Sequence, residues 1–252
     1  MGEDAGRAGP PLSRWRSLGL GLALLLIGPS CADDVALRTG RLPAKGMPLT
    51  LAPAAAAPGG SLVIWYSGVG GWGPADREVA SRLEALGLPV VGVDSVRYFT
   101  RRRSPQTAAA DLAALIERYG RQWGRSGVVV AGYSFGGAAV PQIVPQLPPD
   151  VRAKVRLVVL IAPSPRSELV MRPWTLFDVF QPAATPLAEE VAALDPLRTL
   201  CIADPRDRSA DCGDVKGALE LKVSGGHGLK GSYGAVAEAI AAAVVAPVGN
   251  PR

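Results

Sequence analysis

The sequence predicts an α/β architecture, a mostly parallel sheet with helices on both faces. Three observations carry that expectation. Short runs of β-branched and aliphatic residues recur along the chain, stretches of helical periodicity separate them, and no linker divides the region they occupy. With 48% hydrophobic and 19% charged residues over 252 positions, the chain can bury a sizeable core, and its length suits one domain plus an N-terminal extension.

The elements follow in order. Residues 62–66 form a β-branched and aromatic run that ends before Gly68. Between 75 and 86, Val79, Ala80, Leu83 and Leu86 share one helical face. Residues 90–93 give a second buried-strand run. Ser104 and Pro105 read as the N-cap and first position of a helix whose Leu112, Leu115, Ile116 and Tyr119 recur at i, i+3, i+4 and i+7. Further strands are expected at 128–131, 157–162, 199–202 and 219–223, the last alternating apolar and polar residues as an edge strand does. Tyr233, Val236, Ala237, Ile240 and Val244 pattern the final helix.

Two regions fall outside this rhythm. Residues 33–60 are rich in Ala, Pro and Gly and read as an irregular lead-in, with an edge hairpin as the alternative. Residues 163–190 hold five prolines together with Trp174, Phe177 and Phe180. So long an interval is expected either as a cap that carries apolar side chains over a site or as a helical excursion that completes the core.

The N-terminus reads as an export signal, giving the divisions 1–32, 33–60 and 61–246. Arg7, Arg14 and Arg16 precede ten apolar residues at 18–27, a stretch shorter than the about 20 that span a bilayer. Small residues at Ser30-Cys31-Ala32 offer a cleavage point after Ala32. Cys31 as the lipidated first residue of a lipoprotein, or an uncleaved anchor, are the alternatives. Either of the first two processings leaves Cys201 and Cys212 as an even pair, expected to bridge in an oxidising compartment such as the periplasm, with two free thiols as the other reading. The net charge of +5 is scattered, and the one basic run, Arg101 to Arg103, has no interleaved aromatics. That excludes a nucleic-acid partner and reads as a solvated loop.

The chemistry centres on Gly132-Tyr133-Ser134-Phe135-Gly136, a G-x-S-x-G match. In a chain with 30 glycines the pattern alone is weak. Its setting is specific: it directly follows a predicted strand and precedes small, helix-compatible residues, the strand–turn–helix that lifts a serine hydroxyl above a sheet. A serine needs a base to become a nucleophile, and His227 is the only histidine in the chain. The acid is expected after the fifth strand, where Asp207 is the first choice, Asp204 the second, and Asp211 also available. The order Ser134, acid, His227 is that of the α/β-hydrolase triad. Phe135 N–H and Val69 N–H, the latter in the glycine-rich loop 67–72, are the expected oxyanion donors. Such a site calls for no metal and no cofactor.

With these residues in place, the chain resembles the VirJ/AcvB family of bacterial virulence-associated periplasmic α/β-hydrolases. The resemblance rests on Tyr66-Ser67-Gly68-Val69-Gly70-Gly71-Trp72, Asp94-Ser95-Val96-Arg97-Tyr98-Phe99, Gly132-Tyr133-Ser134-Phe135-Gly136 and Gly225-Gly226-His227, in the family's order, across roughly residues 60–245. It implies a serine esterase acting on aminoacylated phosphatidylglycerol, chiefly the lysyl form, at a membrane surface, and in some members an association with type IV secretion proteins. Ser134, Asp207 and His227 match the triad positions. Two departures stand out: the family usually has an acidic residue where Val69 stands, and often a histidine where Gly228 stands. For such a substrate, Asp94 or Glu168 is a candidate for an ammonium group, Arg97 and the Arg101 to Arg103 run for a lipid phosphate, and Trp174 and Phe177 for acyl chains.

Overall fold

A computed structural model of the chain describes residues 47, 49–54, 60–172, 184–195, 197–210, 212 and 217–245. Its centre is a seven-stranded sheet in the order β1-β3-β2-β4-β5-β8-β9. The strands are β1 (Leu49–Ala52), β2 (Ser61–Tyr66), β3 (Val90–Val93), β4 (Gly127–Tyr133), β5 (Val155–Ile161), β8 (Thr199–Ala203) and β9 (Leu219–Lys222). All neighbours run parallel except β1, which pairs antiparallel with β3. Among the described residues of the lead-in, Leu49–Ala52 forms an edge strand whose hydrogen bonds come from β3.

Both faces of the central strands are covered, which is why they read as continuous apolar runs rather than alternating ones. Along β2, Leu62, Ile64 and Tyr66 point to one side, where they meet Leu112, Leu115 and Ile116 of α3 (Pro105–Gln122) and Val140 and Ile143 of α4 (Phe135–Ile143). Val63 and Trp65 point to the other, against Val79 and Leu83 of α1 (Pro74–Ala85) and Val236 and Ile240 of α7 (Tyr233–Val245). The helix expected from Ser104 starts there, with the Ser104 hydroxyl accepting the Thr107 N–H at 3.1 Å. Pro141 lies inside α4, which lasts nine residues before a 3₁₀ turn takes over.

Three short helices escape the sequence pattern: α2 (Ser95–Tyr98), α5 (Pro149–Arg152) and α6 (Leu187–Ala192). They are too brief for periodicity to register. The base of the 163–190 interval is closed by a two-stranded ribbon, β6 (Arg166–Ser167) against β7 (Thr185–Pro186). Leu169 and Val170 are buried there, and Met171 N–H donates to Phe99 C=O at 2.7 Å. Trp174, Phe177 and Phe180 lie outside the described residues, as do the 1–32 segment with Cys31, and Asp211.

Candidate active site

The parallel strands deliver their C-terminal ends to one edge of the sheet, where the loops after β2, β4, β8 and β9 meet. Ser134 sits at the tip of the turn between β4 and α4 with φ +54°, a left-handed conformation that costs a non-glycine residue about 1–3 kcal/mol. Two glycines make the turn possible. A Cβ on Gly132 would overlap the main chain of Gly136, and a Cβ on Gly136 would overlap the carbonyl oxygen of Tyr66. The main chain is fixed on both sides as well: Ser134 N–H donates to Ile161 C=O at 2.8 Å, and Ser134 C=O accepts from Ser164 N–H at 3.2 Å.

His227 arrives from the loop after β9. Its Nε2 lies 2.8 Å from Ser134 Oγ and its Nδ1 lies 2.7 Å from Asp207 Oδ2. With the ring proton on Nδ1, that nitrogen donates to the carboxylate while Nε2 accepts from the serine hydroxyl. Asp207 is therefore the carboxylate that reaches the histidine. Burial pushes its carboxyl pKa up, but the bonds from Ser209 Oγ, His227 and Ser209 N–H together outweigh this and hold it below the ordinary value.

Asp204, the second choice for the acid, faces elsewhere. It is 2% exposed, and its carboxylate takes the Arg206 guanidinium at 2.9 and 3.1 Å, Arg206 N–H at 2.9 Å and Gly226 N–H at 2.9 Å. The Arg206 side chain and these main-chain donors hold its pKa well below the usual carboxylate range. Through Gly226 it ties the acid loop to the histidine loop, next to His227. The Cys201–Cys212 bridge closes the same loop, with Cα atoms 5.8 Å apart.

Two side chains at the site went unnoticed in the sequence. Ser209 Oγ lies 2.6 Å from Asp207 Oδ1 and 3.1 Å from His227 Nδ1, bracing both. Tyr133, the variable residue before the serine, donates its hydroxyl to His227 C=O at 2.8 Å and so clamps the histidine loop to the turn. Burial raises its pKa to about 12, keeping it a donor. Tyr133 stands inside a motif already read; a serine two residues past an aspartate carries no signal until the loop is folded.

The serine opens into a cleft of about 330 Å³, mostly apolar, bounded by the 68–71 loop, the start of α1, Tyr133, and the 227–230 turn with Tyr233. Gly68 is pressed against the nucleophile: a Cβ there would come within 3.0 Å of Ser134 Cβ. Val69 lines the cleft beside it, and Phe135 is the first residue of α4, where a main-chain N–H has no intrahelical acceptor.

The expected substrate contacts fare differently. Asp94 caps α2 by accepting Arg97 N–H at 3.2 Å, and its carboxylate lies against Gly71, where an added Cβ would be 3.2 Å from Oδ1, while Arg97 is exposed. Neither lines the cleft. Glu168 is 6% exposed and bonded to Arg102 at 2.6 Å, so its charge is already answered. The basic run is likewise no simple solvated loop. Arg103 bonds Tyr98 C=O and Asp111 and stacks over the Tyr98 ring at 4.0 Å.

Fold and site together define a protein of the α/β-hydrolase class, with a serine, a histidine and an aspartate in hydrogen-bonded sequence at the loop edge of the sheet. The family model for the bacterial virulence protein VirJ matches residues 60–246, and the chain belongs to that family. No curated protein matches it in sequence. Among solved structures it is similar to an esterase from Pyrobaculum calidifontis, at 18% identity and TM-score 0.55, covering 86% of this chain and 91% of that one. It is also similar to Est1E from Butyrivibrio proteoclasticus, at 13% identity and TM-score 0.54, covering 77% and 90%. The esterase domain of a Rhodothermus marinus protein aligns at 16% identity and TM-score 0.53, covering 77% and 89%. At such identities the likeness is one of fold.

Proposed function

We propose that the chain is a serine esterase that works through an acyl-enzyme on Ser134. The observation that carries this reading is the unbroken line from Ser134 Oγ to His227 Nε2 at 2.8 Å and from His227 Nδ1 to Asp207 at 2.7 Å. Ser134 Oγ attacks the ester carbonyl as its proton passes to Nε2. Asp207 stabilises the imidazolium that forms. The oxyanion is received by Phe135 N–H and Val69 N–H. Collapse breaks the ester bond, and the leaving alcohol takes the proton from His227. Water then attacks the acyl-enzyme by the same route, so one ester and one water give one acid and one alcohol.

The substrate we propose is the aminoacyl ester of aminoacylated phosphatidylglycerol, with the lysyl form being the one that the family resemblance implies. The compartment is the periplasm, which the Cys201–Cys212 bridge supports because disulfides persist in oxidising surroundings. The test uses the mature protein beside Ser134→Ala, a fluorophosphonate probe, and vesicles of aminoacylated phosphatidylglycerol. Labelling and amino-acid release that both vanish in the mutant are expected. Labelling without release would keep the esterase and remove this lipid. Absence of both would leave a binding or assembly protein for a secretion apparatus on a hydrolase fold.

A further inference from the structure

Of the carboxylates near the cleft, Asp94 lies against the lining residue Gly71 with its Oδ1 on Arg97 N–H, and the others are fully bonded. Asp76, which forms part of the wall, is 2% exposed and accepts Trp65 Nε1–H at 2.8 Å on one oxygen and Gly73 N–H at 2.9 Å on the other. Asp207 is spent on His227 and Ser209, and Asp204 on Arg206 and Gly226. The oxyanion loop itself contributes the apolar Val69 to that wall. Asp76 is the one carboxylate in the cleft lining among the described residues, and both its oxygens are taken.

The lining also includes one lysine. Lys230 lines the cleft together with Ser134 and His227, three residues beyond the histidine in the same turn. The turn is rigidly closed: Lys230 N–H donates to Gly225 C=O at 3.3 Å, and a Cβ at Gly225 would overlap the Lys230 main chain. The stem of Lys230 runs past Gly228, where an added Cβ would lie 3.9 Å from Lys230 Cγ. Its side chain is exposed and forms no ion pair among the described residues. A free ammonium at the rim of a mostly apolar cleft attracts an anion and repels a cation more strongly than one in open solvent.

We propose that Lys230 sets the charge of the substrate at this cleft, receiving a phosphodiester next to the scissile ester and disfavouring an acyl group with an ammonium on its side chain. This rests on the esterase reading and deepens it. The preferred substrate is an ester of a neutral acyl side chain whose alcohol part carries phosphate, which reverses the lysyl preference that family resemblance implies. The α-ammonium common to all aminoacyl esters cancels in the comparison.

The experiment measures kcat/KM for alanyl- and lysyl-phosphatidylglycerol in otherwise identical vesicles, using the mature protein and its Lys230→Gln and Lys230→Glu variants, with p-nitrophenyl acetate as a phosphate-free ester. The wild type is expected to favour alanyl over lysyl by about fivefold, the scale of one charge contact near a surface. Lys230→Gln should bring the ratio near one, and Lys230→Glu should invert it. The ratio is the readout because a damaged fold lowers both rates together. A wild-type preference for lysyl, or a ratio unmoved by Lys230→Glu, overturns the proposal. Cleavage of p-nitrophenyl acetate without either lipid also overturns it, while leaving the esterase standing. Cleavage of none of the three esters removes the esterase reading itself.

Discussion

The two halves of the site are held by different physics. On one side, the turn that carries Ser134 is fixed by exclusion: glycines where no Cβ fits, main chain bonded to β5, and a serine forced to φ +54°. Ser134 is 5% exposed, and the strands that flank it are buried except at Tyr133 in β4 and Arg156 in β5. On the other side, the loops that carry Asp207 and His227 are partly exposed, with Leu229 as their buried apolar anchor. They are held by discrete polar ties: Asp204 to Gly226, Tyr133 to His227, Ser209 to both partners, and one disulfide. The contrast teaches that the nucleophile is positioned by the core and the proton-transfer pair by replaceable side chains. Damage to the first half should cost the fold, and damage to the second should cost activity first.

Gly136→Ala is the strongest way to break the comparison. The added methyl would push into the Tyr66 carbonyl, so the expected outcome is a loss of about 3 kcal/mol or more of stability, read by urea unfolding, together with loss of activity. A stable, active variant would show that the turn is softer than its geometry. Asp207→Asn attacks the other half. Here kcat should fall by about 10⁴-fold with the unfolding midpoint almost unchanged, since the amide favours the wrong imidazole tautomer.

The disulfide lies between the halves, and its removal sharpens the contrast. Cys201→Ser with Cys212→Ser should cost about 3 kcal/mol, as expected for a loop whose ends are 11 residues apart. A proportionate fall in kcat at a temperature well below unfolding would show that the bridge also holds Asp207 in place. Asp204 supplies the smallest effect and one with a definite sign. Its folded pKa is lowered, so its stabilising contribution is complete above the unfolded carboxylate value of about 4 and is lost as pH falls through the folded value. Acid unfolding curves of the wild type and Asp204→Asn should therefore converge toward low pH. Curves that stay parallel would remove that carboxylate from the pH dependence.

Much of the fold was legible because both of its periodicities are local. Buried strands announce themselves as runs of Val, Ile and Leu, and α3 as a repeat that opens on Ser104-Pro105. The residues around the serine were legible for a related reason: the strand, the turn and the helix are contiguous in sequence, so the glycines that the turn requires stand beside Ser134. The pairing of Glu168 was not legible, because its partner, Arg102, lies 66 residues away and nothing local distinguishes a buried, paired carboxylate from an exposed one.

What the sequence by itself determined, then, is the parallel α/β plan, the turn that presents Ser134, and a single histidine to serve it. These depend on side-chain period, on backbone stereochemistry and on there being only one His227. Only the tertiary structure decided among the aspartates, assigning Asp207 to the histidine and Asp204 to the loop that carries it. It alone brought Tyr133 and Lys230 to the same cleft and set Ser209 against Asp207 and His227. Those outcomes depend on where loops from β4, β8 and β9 converge, and a hydrogen bond between residues twenty or ninety positions apart leaves no trace in the pattern of either segment.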